Sequence, residues 1–412
     1  MAQKKIILAV IGGGAAGLAA AVTAARLGAQ VTVYERGARV GRKLLATGNG
    51  RCNLTNRQAA PKYYHGQEPD FVQPALARFP VAETIAFFDS LGVMVVEEDG
   101  GKCYPRSLQA AAVLDALRLE CERLGVEMVC DCEITRLQPL KGGFNLYSAT
   151  GVFYAQKVIV AAGGAASAPL GGCEAGYQLL AALGHRRTGL HPAIVQLKCD
   201  AKATKALNGI KIQAMVTLRE DEKRLGQESG EVLFTDYGLS GPPILQLSSL
   251  ATRHLGGKKQ LTVGLDVFSD MTEAALGELL SQRAAARPEM LLENFTVGML
   301  NKRLGQITLK ECGIAPLSRQ AGSLTQAEIA RYAALLKDWR LVVRDTNGLR
   351  QAQVTAGGVE TSGFDSCTMA SRLVSGLYAC GEVLDIDGDC GGYNLQWAWS
   401  SGRLAAESAM QL

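Results

Sequence analysis

The chain has only four histidines, His65, His185, His191 and His254, and no Cys-x-x-Cys pair among its eleven cysteines. That scarcity argues against a histidine-rich metal centre, and Cys130-x-Cys132 is too tight for a standard zinc knuckle, so no metal ligand is assigned. There is no repeat at a solenoid period and no low-complexity tract. Beyond the N-terminal stretch, no run of apolar residues is long enough to span a bilayer. The net charge of +4 is mild and permits an anionic partner without demanding one. Hydrophobic residues make up 48%, which excludes wholesale disorder, and 412 residues suit two or three domains. The cysteines, spread from Cys52 to Cys390, read as reduced thiols and mostly as small core residues. A cytoplasmic protein is expected, with no membrane association and no inferable stable protein partner.

What is present is concentrated first at the N-terminus. Lys4-Lys5 followed by an apolar stretch could open a signal peptide or a membrane span. Glycines cluster in its middle, no secretory-looking cleavage site follows, and Arg26 interrupts it as one face of a helix would. The better reading is strand, glycine turn, helix, strand, acid: Ile6 to Ile11, then Gly12-Gly13-Gly14-Ala15-Ala16-Gly17, then Val31 to Tyr34 ending on Glu35. Gly12 makes the tight turn, Gly14 admits a pyrophosphate to the backbone, and Gly17 lets helix and strand pack closely. Glu35 stands where a ribose hydroxyl needs an acceptor. The pattern predicts a dinucleotide site.

Further along, Leu108 to Leu124 has helical spacing and ends at Gly125. Val126 to Val129, Phe144 to Tyr147 and Val152 to Tyr154 read as short strands of a meander. Lys157 to Val160 is a buried strand running into Ala161-Ala162-Gly163-Gly164, as expected where a sheet end approaches a cofactor. From about His191 the texture changes. Ile194 to Leu197, Ile212 to Leu218 and Glu231 to Phe234 look like antiparallel strands, whereas Thr272 to Leu304 and Thr325 to Lys337 look helical, with a break at Pro288. Strand-like Leu377 to Cys380 then leads into a glycine-rich stretch and an apolar C-terminal segment, so the nucleotide domain is expected to be discontinuous.

Two more patches address the same ligand. Gly41 to Asn56 combines cations, glycines and amides, suited to neutralising phosphates and placing donors around a flavin ring. In the second, Gly391 and Gly392 open a predicted helix whose free N–H groups would face an electron-rich acceptor such as the flavin pyrimidine edge. Glu382 or Asp385 would meet ribityl hydroxyls. The ordinary structural readings stand beside these: a polar loop for the first, and for the second a capped amphipathic helix with Trp397 and Trp399 against the sheet.

Gly41 to Asn56, Gly230 to Pro242, Thr355-Ala356-Gly357-Gly358-Val359 and Gly381 to Ser401 closely resemble the BaiN/RdsA-like family of bacterial FAD-binding oxidoreductases, some members of which are labelled aminoacetone oxidases. The resemblance runs from end to end and is most specific in the GNGRCNLTN and GGYNLQ strings. It implies an α/β fold: a Rossmann-like FAD-binding domain of the two-dinucleotide-binding type, interrupted by a β-rich barrel-like domain and a small helical subdomain. The corresponding boundaries are 1–190 and 355–412 for the FAD domain, 191–271 and 339–354 for the β-rich domain, and 272–338 for the helices. The residues assigned to FAD are Gly12, Gly14, Ala15, Ala16, Gly17, Glu35, Arg36, Arg42, Lys43, Thr47, Gly48, Asn49, Arg51, Asn53, Ile134, Ala162, Gly163, Gly381, Glu382, Asp385, Gly392, Tyr393, Asn394, Leu395 and Gln396. One departure concerns Asp236, where the family usually has histidine; the two side chains differ in charge and in the ability to donate at neutral pH.

The resemblance implies three outcomes: reduction of uracil in ribosomal RNA to dihydrouridine, reduction of a steroid-like or other small-molecule enone, or oxidation of a small amine with release of peroxide. The first two are one reaction type, in which a hydride goes to the β-carbon of a conjugated carbonyl and an acid protonates its neighbour. Reduction of ribosomal RNA leads. Cys52, beside Arg51, is the first candidate acid, because adjacent cations tune a thiol; it equally reads as a small residue packed beneath the loop. Tyr237 and Asp236 come next, and Tyr393 would line the ring without doing chemistry. Lys198, Lys202, Lys205, Lys211, Arg253, Lys258, Lys259, Lys302 and Arg303 form a basic population able to track phosphates, although acids such as Glu220, Asp221 and Glu222 interleave. A second Gly-x-Gly-x-x-Gly is missing, so NAD(P)H is expected to act as a transient electron donor.

Overall fold

The computed structural model describes residues 6–411, so Lys4 and Lys5 lie outside the described residues. The chain forms two compact units, Met1–His191 with Leu349–Leu412, and Pro192–Gly348.

The first unit is built on a five-stranded parallel sheet. In chain order its strands are β1 (Ile7–Ile11), β2 (Gln30–Tyr34), β3 (Glu127–Val129), β4 (Lys157–Val160) and β5 (Leu377–Ala379). Their spatial order is β5-β4-β1-β2-β3, every neighbouring pair parallel. A parallel sheet is covered on both faces, which is why β1 and β4 are nearly continuous apolar runs; Val10, Val158, Ile159 and Val160 have no exposed surface. Helix α1 (Ala15–Arg26) joins β1 to β2, α2 (Ala110–Arg123) precedes β3, and α3 (Tyr393–Met410) follows β5. Alanines and glycines give α1 so little bulk that α3 packs on it backbone to backbone: a Cβ on Gly402 would stand 2.4 Å from the Ala16 carbonyl oxygen.

The meander is corrected in one respect. Val126 to Val129 does not begin it; Glu127–Val129 joins the main sheet beside β2. The three-stranded meander is Ile134–Leu140, Gly143–Ser148 and Gly151–Ala155.

The second unit holds a closed six-stranded barrel, the helices Ala201–Ala206 and Pro242–His254, and a separate group of three helices. The barrel strands are Leu197–Cys199, Lys211–Glu220, Lys223–Phe234, Gly238–Ser240, Leu261–Asp266 and Trp339–Thr346, closed by pairing of the first with the last. Its interior is filled by Val216, Leu218, Val232, Phe234, Val263 and Leu265, with Phe234 and Trp339 ring centroids 5.7 Å apart. The strand expected at Ile194 to Leu197 begins only at Leu197. Ile194 has φ +51°, a left-handed conformation that a β-branched residue adopts only under constraint and that no strand continues through. The helical stretch expected over 272–304 is likewise divided, into Glu273–Ala286 and Lys302–Glu311, the first ending two residues before Pro288. With Gln326–Lys337 these helices have their own core around Leu276, Leu280, Leu309, Ile329 and Tyr332. The starts of all three are capped, by Thr272, Asn301 and a Thr325–Glu328 capping box.

Candidate cofactor-binding site

Because β1, β2, β4 and β5 run parallel, their C-terminal ends share one edge of the sheet, the edge where open α/β sheets bind ligands. The chemistry-bearing residues of the first unit collect there. Gly12 ends β1 at φ +106°, and a Cβ on it would lie 2.5 Å from the Ala161 carbonyl oxygen at the end of β4. A Cβ on Gly17 would lie 1.9 Å from the Gly12 carbonyl oxygen, so only glycine allows this helix to sit so close to its strand. Gly14 is different: a Cβ there would meet nothing within 4 Å. The backbone at Gly14 therefore borders open space at the start of α1, and no side chain caps the helix there. Free N–H groups and the positive end of the helix dipole make this a place for phosphate.

Glu35, just past β2, accepts hydrogen bonds from the N–H groups of Gly13 (2.9 Å) and Gly37 (2.7 Å). These two bonds aim the carboxylate and leave further acceptor capacity for a ribose. Asp131 and Cys132 donate to the carbonyls of Gly37 and Glu35, laying the chain that ends at buried Ile134 alongside this turn. Arg36 and Arg42 are held by the carbonyls of Gly171 (3.0 Å) and Pro169 (2.8 Å). Lys43 Nζ lies 2.7 Å from Glu382 Oε2, and the other oxygen of Glu382 accepts the Thr355 N–H at 2.8 Å. Ala162 and Gly163 follow β4 half-buried, with Gly163 at φ +74°. Gly381 follows β5 at φ +72°, within 2.9 Å of Ala16 Cβ for any added Cβ, and so ties this strand end to the first glycine turn and α1.

The loop 47–53 and the start of α3 meet beside these strand ends. Gly48, Asn49 and Gly50 all have positive φ, which turns the chain tightly. Asn53 is almost fully buried and its Oδ1 has no hydrogen-bond partner in the protein. A Cβ on Gly392, the residue before α3, would stand 2.9 Å from that oxygen. α3, like α1, starts without a side-chain cap. An orphaned buried oxygen, an open glycine and two uncapped helix starts on one rim fit a flavin dinucleotide. Gly12 to Gly17, Glu35, Lys43, Asn53 and Gly391 to Asn394 would hold it.

The side chains of several assigned residues are engaged within the protein. Gln396 is fully buried, accepts from Thr55 Oγ1, and donates to Phe79 O, Thr84 Oγ1 and Ser400 Oγ, so its side chain is a tie within the core and not a free ligand contact. Asn394 brackets Gly388 with its amide, donating to that carbonyl at 2.7 Å and accepting its N–H at 2.8 Å. Arg51 lies over the Tyr104 ring, 4.2 Å from its centroid, and pairs with Glu98. Thr47 bonds back to the Leu44 carbonyl. Asp385 is buried and accepts the Gln67 N–H; Tyr393 is buried and Leu395 half-buried on the first turn of α3.

The expectation that neighbouring cations tune the Cys52 thiol is corrected. Its side chain has no exposed surface, and burial pushes the thiol up to about 12, the Thr47 hydroxyl offsetting only part of this. Asp236 and Tyr237 lie in the second unit, at the turn between two barrel strands, where Thr235 and Gly238 hydrogen-bond to each other. Asp236 is exposed, and Tyr237 is half-buried with its carbonyl accepting the Cys199 N–H.

One constellation was missed at the sequence level. His65 Nε2 lies 2.6 Å from Asp389 Oδ1, on a two-stranded ladder of Tyr64–His65 with Asp387–Gly388. Tyr63 stacks on Tyr393 with centroids 4.7 Å apart, and the Tyr64 hydroxyl donates to the Tyr393 carbonyl. With His65 and Asp389 324 positions apart, no local pattern announces the pair.

Strand order, glycine turn and dinucleotide cradle define a Rossmann-type flavoprotein. The family model for the HI0933-like protein Rossmann domain matches residues 6–408, and the chain belongs to that family, whose relatives here are FAD oxidoreductases. It is 37% identical to a 3-dehydro-bile acid delta(4,6)-reductase of Clostridium scindens, over 98% of this chain and 99% of that one. It is 32% identical to a ribosomal RNA dihydrouridine synthase of Haemophilus influenzae, over 97% of each chain. To the ribosomal RNA dihydrouridine synthase of Escherichia coli it is 33% identical, over 97% of this chain and 96% of the other. No helix among the described residues is long and apolar enough to cross a membrane.

Proposed function

We propose that the protein reduces a carbon–carbon double bond conjugated to a carbonyl, and that its substrate is uracil in ribosomal RNA. The observation that carries this reading is the end-to-end similarity to ribosomal RNA dihydrouridine synthases of two organisms, together with a cradle suited to FAD. When bound, FAD supplies the hydride chemistry. The chain's own residues bind and orient: the Gly12–Gly17 turn and α1 take the phosphates, Glu35 the ribose, and the start of α3 favours negative charge at the ring edge. NAD(P)H is the proposed donor, visiting the ring transiently. Uracil is reached in unpaired RNA, where bases can be splayed out of the stack. The cytoplasm is the compartment this substrate implies.

A second reading, reduction of a steroid-like enone, is the same chemistry on a small molecule. It is favoured by the 37% identity to the bile acid reductase. It is favoured too by the pairing of Lys198, Lys211 and Lys259 with Asp345, Glu231 and Glu220, which leaves these cations less to offer phosphates. The deciding experiment compares dihydrouridine in ribosomal RNA, by mass spectrometry, from cells with and without the gene. Loss of one dihydrouridine on deletion supports the RNA reading; an unchanged level moves the assignment to the small-molecule enone.

A further inference from the structure

We infer that His65, held by Asp389, is the acid that gives its proton to the substrate in this reduction; the inference rests on the reading of the function above. An acid for the carbon next to the carbonyl has to be close to the ring, reachable by substrate, and able to regain a proton. Cys52 is sealed beneath the loop, with no exposed surface. The His65 and Asp389 side chains retain 33% and 22% of their exposure, so the pair opens to substrate and to water.

The pair is also fixed to the turn that precedes α3. Asp389 lies two residues before Gly391, its N–H donates to the Tyr63 carbonyl at 3.0 Å, and its carbonyl accepts from Asn394 Nδ2 at 3.2 Å. On the other side, Tyr63 stacks on Tyr393 and Tyr64 bonds its carbonyl, so the strand bearing the imidazole cannot slide away from the helix start. The carboxylate engages Nε2, and Nδ1 makes no hydrogen bond to the protein among the described residues. This is the arrangement of a working imidazole: one nitrogen held by an acid that sets tautomer and orientation and balances the charge of the protonated ring, the other free for transfer.

As a hydride reaches the β-carbon of the conjugated carbonyl, the N–H bond at Nδ1 breaks and a C–H bond forms at the α-carbon. Both electrons arrive with the hydride and derive from the nicotinamide donor. The imidazole recovers its proton from water at its exposed edge. The titratable and charged neighbours are Asp389, Asp387 across the ladder, Asp385 on the Gln67 N–H, Lys62 over the Tyr63 ring, and the phenols of Tyr64 and Tyr393, which burial pushes up.

The test uses the FAD-loaded protein, wild type, His65→Gln and Asp389→Asn, with Cys52→Ala for comparison. Without substrate, the visible spectrum of bound FAD is recorded at one fixed pH. A side chain beside the ring perturbs that spectrum, so a shift from wild type is expected in His65→Gln and not in Cys52→Ala. With substrate, reduction of the bound flavin by NAD(P)H is expected within twofold of wild type in His65→Gln, while reoxidation by substrate slows by about 10²–10⁴-fold. In Asp389→Asn reoxidation slows less. A flavin spectrum in His65→Gln identical to that of wild type, or reoxidation within threefold of wild type, overturns the inference. A wild type that is reoxidised by neither uracil-containing RNA nor a steroid enone overturns the functional reading, and His65 as donor falls with it. Wild-type turnover with unchanged His65→Gln overturns the donor alone.

Discussion

Lys43 Nζ and Glu382 Oε2 are 2.7 Å apart across 339 positions of sequence, and the pair ties the short helix Arg42–Ala46, which follows β2, to the residues just past β5. Glu382 also accepts the Thr355 N–H, so its removal leaves two donors without their acceptor. Glu382→Ala is expected to lower stability by about 1–3 kcal/mol, the usual consequence of orphaning partly buried donors. Lys43→Met should cost less, since Glu382 keeps its backbone partner. Urea unfolding of the two variants checks the order; equal losses would show that the Thr355 bond contributes nothing.

The glycines of the first turn make opposite predictions. A Cβ at position 17 has no room, so Gly17→Ala should destabilise the fold by about 1–3 kcal/mol through overpacking. Gly14 faces open space, so Gly14→Ala should leave the apoprotein as stable as wild type. Gly14→Glu should also fold, yet be colourless, because a carboxylate would sit where phosphate binds. Flavin retained by Gly14→Glu would remove the cofactor from this turn.

This contrast marks how far the sequence could be read. Gly12, Gly14, Gly17 and Glu35 lie within one strand-helix-strand unit, so their spacing alone exposes their places in it. The return of the chain through Leu377–Ala379 was also legible, because an apolar strand followed by glycines has few other uses. The place of Glu127–Val129 was not, since a three-residue strand takes its partner from the sheet and not from its own pattern. Gln396 misled for a related reason: its neighbours belong to a ligand-binding motif, while its own amide is consumed by Thr55, Phe79, Thr84 and Ser400. His65 and Asp389 carry no periodicity or spacing; only the pairing of two very short strands joins them.

Acid should weaken the first unit in a defined window. Hydrogen bonds from Arg123, with Arg26 adding its own, hold the Glu120 carboxyl well below the usual range, at about 2. A depressed carboxyl pKa gives stability that is present above the unfolded value, roughly 4.3, and is lost as pH falls toward about 2. Arg123 is largely exposed, so solvent screening limits the contribution to about 1 kcal/mol. Glu120→Gln should therefore be less stable than wild type at pH 7 and converge with it near pH 2, as measured by urea midpoints across that range.

Thiol chemistry should separate Cys52 from Cys367. The Cys52 thiol, raised to about 12 by burial, holds almost no thiolate at pH 8 and has no exposed surface. Cys367 is exposed. Iodoacetamide at pH 8 should label Cys367 in the native protein and reach Cys52 only after unfolding, as read by peptide mass spectrometry. Rapid native labelling of Cys52 would return it to the candidates for catalysis.

Asn53 should show effects of opposite sign with and without cofactor. Its buried Oδ1 lacks a protein partner beside Gly392, and an unpaired buried acceptor costs about 1–3 kcal/mol. In the apoprotein that cost is carried with no return, so Asn53→Ala should be neutral or slightly stabilising, the lost packing offsetting part of the gain. In the loaded protein the same oxygen has a donor to meet on the flavin side, so the variant should bind FAD about tenfold more weakly, the equivalent of about 1.4 kcal/mol. Thermal unfolding of apo and loaded forms, with flavin titration by fluorescence quenching, measures both. If Asn53→Ala destabilises the apoprotein and leaves FAD affinity unchanged, the orphaned oxygen belongs to the core and not to the cofactor.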